Sequence, residues 1–167
     1  MLIRPAKPDD VPQVIPMVQK ICALHESWDP AKHGFRPNVA EMYQSWLPKR
    51  ATDPQSVFLV ADRESAGVPA SAGMSSLVAF LIGTVEREIP IYRLEKFGFI
   101  HDLWVEPEYR HEGIARQMTM LAIERFREIG VTQIRLDTAA KNDAARALFA
   151  SCGFRESVRE MLLQIRS

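Results

Sequence analysis

The segment Val105-Glu-Pro-Glu-Tyr-Arg-His-Glu-Gly-Ile-Ala-Arg-Gln117 constrains this chain more than any other. Residues 97–105 before it (FGFIHDLWV) alternate like a strand. Phe97, Phe99, His101, Leu103 and Val105 share one face, and Gly98, Ile100, Asp102 and Trp104 the other. After it, Ile114, Met118, Leu121, Ala122, Phe126 and Ile129 recur at helical spacing, and Gly130 ends the run. The order is strand, polar turn, helix. A helix start leaves N–H groups unpaired with a partial positive charge, and a pyrophosphate fits there. Gly113 has no Cβ, so a ligand can approach the backbone closely. Arg110 and Arg116 bracket the turn and can add charge-assisted bonds. No Gly-Lys-Ser/Thr follows and one glycine stands in the turn, so neither the P-loop nor the dinucleotide fingerprint fits.

The 167 residues suit one compact domain spanning the chain, with 47% hydrophobic residues to fill its core. Residues 2–4 read as a first strand. A helix follows to about His25, capped by Asp9 or Asp10, with interior Pro16 expected to kink or loosen it. Residues 26–37 read as a loop, and 38–47 as a short helix stopped at Pro48. Residues 56–61 and 77–85 are apolar strands, with 62–76 a loop between them. Residues 86–96 form a hairpin end or a substrate-side loop. Past the helix that Gly130 ends, 132–138 read as a strand. Residues 142–152 read as a helix capped by Asn142 and stopped at Gly153, and 154–165 as a last strand or hairpin. The sum is an α/β domain with a mixed sheet.

Twenty-one basic residues balance twenty-one acidic ones, which argues against a nucleic-acid binder. The first ten residues carry no apolar run and do not read as a secretory signal. The longest uncharged stretch, 65–85, contains Pro69, glycines and serines; a loop feeding a buried strand fits it better than a membrane helix. Cys22 and Cys152 lie on apolar helical stripes and read as buried free thiols. A cytoplasmic protein without a metal site is expected.

Arg110-His-Glu-Gly113-Ile-Ala115 resembles the R/Q-x-x-G-x-G/A signature of the GCN5-related N-acetyltransferases (GNAT). Residues 100–109 look like that superfamily's central strand and turn. Asn142-x-x-Ala145-x-x-Leu148-Phe149-x-x-x-Gly153-Phe154 is similar to its second cofactor motif. Ile3-Arg-Pro-Ala6 and Asp9-Asp10 also fit its first strand and helix, so the resemblance covers nearly the whole chain.

The resemblance implies a GNAT-like fold: a mostly antiparallel mixed sheet with splayed central strands, flanked by about four helices. It implies an acyl-CoA-dependent N-acyltransferase, with acetyl-CoA as donor and a primary amine of a small molecule as acceptor. The amine attacks the thioester directly through a tetrahedral intermediate. The diphosphate would lie on the N–H groups of His111, Glu112, Gly113, Ile114, Ala115 and Arg116, with Arg110 nearby. The pantetheine arm would run beside Leu103, Trp104 and Val105, flanked by Asn142, Ala145 and Phe149. The Val105 N–H is the implied oxyanion donor.

A lysine-like amine is neutral about once in 2,500 at pH 7, a cost of roughly 4.6 kcal/mol, so a base is useful. His101 is the first choice, because imidazole titrates near neutrality. Asp102 is the second; alternation puts it on the opposite face unless a bulge turns it inward. The family often has tyrosine as general acid where this chain has Phe149, which cannot donate a proton. Thiolate release at pH 7 costs only about 2 kcal/mol, so a slower or differently protonated enzyme is expected. His25, Glu26, Trp28, Tyr43 and Tyr92 are acceptor-side candidates. The alternatives are a protein N-terminal or lysine acetyltransferase, and a non-catalytic acyl-CoA-binding module. The apolar tail can also pair with a second chain, giving a homodimer.

Overall fold

The computed structural model describes residues 1–63 and 76–165. Most of the expected 62–76 loop therefore lies outside the described residues. The elements run β1 (Leu2–Pro5), a short turn Pro8–Asp10, α1 (Val11–Trp28), α2 (Val39–Thr52), β2 (Ser56–Asp62), β3 (Leu77–Arg87) and β4 (Lys96–Val105). A turn at Pro107–Tyr109, α3 (Ile114–Glu128), β5 (Ile134–Leu136) and α4 (Asp143–Ser151) complete them. The five strands form one sheet in the order β1-β2-β3-β4-β5. The first three pairings are antiparallel and β4–β5 is parallel. The expected mixed sheet with four helices is the observed one.

Helices cover both faces because β2 and β3 are apolar on both. On one face α1 and α2 meet Phe58, Val60, Phe80, Ile82 and Trp104. On the other, α3 meets Leu59, Leu81, Ile100 and Val105. Phe126 of α3 is fully buried over Gly83 and Gly98. A Cβ built on either glycine would come within 2.8 Å of its ring, so only glycines admit α3 this close.

Six expectations need correction. The helix expected to stop at Pro48 continues to Thr52. Proline removes one helical bond, but Leu47 is fully buried and Ala51 packs on the same core, which holds the last turn in place. Helix α1 likewise carries Pro16 and runs past His25 to Trp28. Asp10 does not cap it through its side chain. Its carboxylate instead accepts from Arg4 at 2.7 and 2.9 Å and from the Lys7 N–H at 2.7 Å, and Arg4 holds it below the usual carboxylate range. Cys22 is buried as expected, but Cys152 is only half-buried. Residues 154–165 form no strand: no described strand pairs with them, and Met161, Leu163 and Ile165 stand exposed. Strand β5 is also shorter than read, three residues long.

Candidate functional site

The site is built where β4 loses a neighbour. β4 pairs with β3 along its length, but with β5 only at residues 98–100. From residue 101 onward no described strand pairs with the second edge of β4, which is open in that sense. The Glu106 N–H donates to Val78 O at 2.8 Å, toward β3. Alternation then turns the backbone groups of Leu103 and Val105 to the open edge. The expected splay of the central strands is present here.

The register also shifts at this point. Asp102 stands opposite Ile82 and Ile100 opposite Gly83, so His101 is an extra residue, a β-bulge. The bulge corrects the face assignment. Gly98 and Ile100 face α3, and so do Leu103 and Val105. Phe99, His101, Asp102 and Trp104 face α1 and α2. His101 and Asp102, which strict alternation separates, therefore share one face.

His101 sits at the rim with its side chain 28% exposed. Its ring meets the edge of Trp46 at 5.4 Å and Phe99 at 5.1 Å. Thr84 Oγ1 is 2.7 Å from Nε2, and Glu86 Oε1 is 3.7 Å from the same nitrogen. Burial pushes the imidazole pKa below its ordinary value; Glu86 opposes that shift and Arg50 adds to it. His101 is thus the more neutral at pH 7. Asp102 accepts a hydrogen bond from Tyr43 Oη at 2.8 Å. Burial raises the Asp102 carboxyl above the usual range, and Tyr43 opposes the shift. Burial beside Asp102 also raises the Tyr43 hydroxyl. Cys22, on α1, is pushed up to about 11 by burial and by Asp102 and Glu26.

The turn leaves the start of α3 accessible. Gly113 precedes α3 with φ +78°, and His111 also has positive φ, 67°. A non-glycine residue there is uncommon and carries some backbone strain. The first helical N–H to be paired is that of Gln117, donating to Gly113 O at 3.0 Å. The N–H groups of residues 113–116 have no helical acceptor. An added Cβ at Gly113 would meet nothing closer than Gln117 Nε2 at 3.7 Å, so the seat is open. His111, Glu112 and Arg116 are exposed, and the Ile114 side chain is core. The Arg110 Nε donates to Val105 O at 3.0 Å, and its guanidinium lies over the Trp104 ring at 4.8 Å. Arg110 therefore ties the turn to the open strand. Trp104 Nε1 is buried with no partner among the described residues.

Asn142 caps α4, its side chain accepting from the Ala145 N–H at 3.1 Å. That bond occupies the backbone donor of Ala145. Phe149 is 8% exposed and packs edge-on against Phe154 at 5.6 Å. On the acceptor side, His25 stacks on Trp28 at 5.5 Å and meets His33 at 5.1 Å. Lys141 donates to Trp28 O at 2.9 Å, joining the end of α1 to the start of α4. Glu26 is exposed. Tyr92, 58% exposed, lies on the turn between β3 and β4, at the far end of β4 from the bulge. Among the described residues no hydrogen bond or ring contact joins it to His101. The sequence reading missed Thr84, Glu86, Trp46 and Arg50. Thr84 left a signal, a hydroxyl inside the apolar run LVAFLIGTV.

The model of the acetyltransferase (GNAT) family matches residues 21–154. The chain belongs to this family. Among curated GNAT relatives, N-acetyltransferase 8 of Homo sapiens is 26% identical over 120 residues, 72% of this chain and 46% of that protein. The uncharacterized N-acetyltransferase YjgM of Escherichia coli K12 is 28% identical over 118 residues, 71% of this chain and 59% of that protein. The chain thus spans about half the length of the curated relatives it matches. A solved mutant of BH1408 from Bacillus halodurans superposes with a TM-score of 0.82 at 24% identity, covering 99% of this chain and all of that one. An aminoglycoside 6'-N-acetyltransferase from Acinetobacter haemolyticus gives 0.70 at 16% identity, covering 100% of this chain and 99% of that one. At these identities the two likenesses show a shared GNAT fold. No described helix is long and apolar enough to cross a membrane.

Proposed function

We propose that this chain is an acyl-CoA-dependent N-acyltransferase that moves acetyl from acetyl-CoA to a primary amine of a small molecule. One observation carries the reading: the open edge of β4 lies between an unpaired helix start and a face holding His101 and Asp102. The residues present fit an acyl-CoA. N–H groups at residues 113–116 and the bare Cα of Gly113 suit its diphosphate. The open backbone of Leu103 and Val105 suits the amides of its arm, and Asn142 and Phe149 flank it from α4. Arg110 needs only to turn from Val105 O to reach a phosphate, and it then frees that carbonyl.

When bound, the acyl-CoA would supply a thioester carbonyl for the acceptor nitrogen, its sulfur leaving as a thiolate that takes up the second proton the nitrogen sheds on becoming an amide. His101 takes the proton that an acceptor ammonium must lose, and its lowered pKa keeps it ready at pH 7. The Val105 N–H stabilises the developing oxyanion. Asp102, its pKa raised, and Tyr43 hold the acceptor side together. His25, Glu26 and Trp28 at the end of α1 suit a cationic acceptor. The free thiols suit a reducing compartment, and we place the enzyme in the cytoplasm. The exposed apolar tail supports a homodimer.

Calorimetry with acetyl-CoA and with free CoA tests the reading. Micromolar binding is expected, lost in a Gly113→Trp variant whose melting confirms that it folds. A panel of amines then reports thiol release. Absence of binding to the unaltered protein would remove the donor from the reading. The buried, hydroxyl-free Phe149 favours one other reading, a non-catalytic acyl-CoA-binding module. That reading predicts tight binding with no thiol release from any amine.

A further inference from the structure

We propose that Thr84 and Glu86 fix the tautomer of His101, so that Nδ1 is the atom of the imidazole that accepts the proton. The inference rests on the reading of His101 as the base, and it specifies which of its two nitrogens works.

The hydrogen inventory of three groups decides it. Thr84 Oγ1 lies 2.5 Å from Glu86 Oε1 and 2.7 Å from His101 Nε2. A threonine hydroxyl has one hydrogen, and a carboxylate offers acceptors alone. At 2.5 Å the two oxygens need a hydrogen between them, so the Thr84 hydroxyl donates to Glu86. Toward His101 the same oxygen then presents a lone pair. Nε2 must carry the hydrogen and donate to it. A neutral imidazole protonated at Nε2 has its lone pair at Nδ1. In the reverse tautomer Nε2 would take the one hydrogen of Thr84. Oγ1 would then face the carboxylate at 2.5 Å with nothing between them.

The fold makes this arrangement rigid. Thr84 is 4% exposed and sits opposite Phe99 in the β3–β4 register, on the face of Phe80 and Ile82. The bulge carries His101 over it. Trp46 and Phe99 fix the plane of the ring from two sides. The charged groups acting on it are Glu86 from β3 and Arg50 from α2, with Asp102 adjacent on β4. When Nδ1 gains a proton, the Nε2–H still points at Thr84, and Glu86 lies behind it at 3.7 Å to balance the new charge. Thr84 and Glu86 are positioning residues, because they act through His101.

Nitrogen-15 histidine spectra of the full chain without ligand read the tautomer directly. Loss of one signal set in His101→Gln assigns the residue among the four histidines. The expected spectrum above the His101 pKa is a single Nε2–H tautomer, with acid titration adding the proton at Nδ1. Thr84→Val, similar in shape, should give a mixture, and Thr84→Ser should restore the single form. In amine acetylation Thr84→Val should lower kcat about tenfold, the worth of one hydrogen bond, with the KM for acetyl-CoA unchanged. An Nδ1–H tautomer in the unaltered protein, or an unchanged tautomer in Thr84→Val, would overturn the proposal. Full activity in His101→Ala would instead overturn the base assignment, and the spectrum would still read the tautomer.

Discussion

The two halves of β4 are consecutive stretches of one strand with opposite duties. Residues 96–100 are paired with β3 and, at 98–100, also with β5. They present Gly98 and Ile100 to Phe126 in a dry interior. Residues 101–105 keep β3 and lose β5. Their second edge is open, and His101 and Asp102 lie side by side near Tyr43, Thr84 and Trp46. A backbone paired on both sides has no donors left to offer a ligand. One paired on a single side keeps geometric order and still has free N–H groups, which is what catalysis by positioning needs.

Substitutions in each half should therefore fail differently. In the open half, His101→Ala is expected to lower kcat/KM for amine acetylation about 10²–10⁴-fold at pH 7, with the urea midpoint little changed. The unaltered enzyme should gain activity with rising pH through an inflection below the ordinary imidazole value of about 6.5, because burial lowers the His101 pKa. An inflection above that value would mean that another group is the base. Against the paired half, Phe126→Ala should cost about 3–5 kcal/mol in urea unfolding, since the cavity over Gly83 and Gly98 cannot close. Its catalytic pH profile should keep its shape. If that profile moves instead, the halves are coupled and the contrast breaks.

Asp102→Asn should have the smallest effect and sharpens the contrast through its sign. The folded protein holds the Asp102 proton more tightly than the unfolded chain does, because burial raises its pKa. The stability associated with this proton is complete below the unfolded value of about 3.9 and declines as pH rises through the folded one. Asparagine removes that decline. The stability of the variant relative to the unaltered protein should therefore rise with pH across this window and then level. A flat difference would mean that the carboxyl is as well solvated as one on the surface.

Much of the frame is local and could be read from the sequence. Asn142 caps α4, Gly113 opens α3 in the left-handed region, and Gly130 follows its end, each for reasons confined to a few neighbouring residues. The failures are non-local. Pro48 reads as a stop, but the buried Leu47 keeps α2 going. The tail at 154–165 reads as a strand, but a strand needs an edge to join. FGFIHDLWV reads as unbroken alternation, because a bulge is set by the partner strand and leaves no mark in its own residues.

The sequence by itself determined the order of elements from β1 to α4, the strand-turn-helix step at Gly113, and the presence of a histidine and an aspartate before it. Local propensity, hydrophobic period and the steric freedom of glycine suffice for those. Only the tertiary structure decided which atoms meet. Pairing against β3 puts the extra residue at His101, turns Asp102 to the same face, and sets Thr84 and Glu86 behind the imidazole. The physical reason is register. A shift of one residue between two strands exchanges the faces of all the side chains beyond it, and register belongs to the pair of strands rather than to either one.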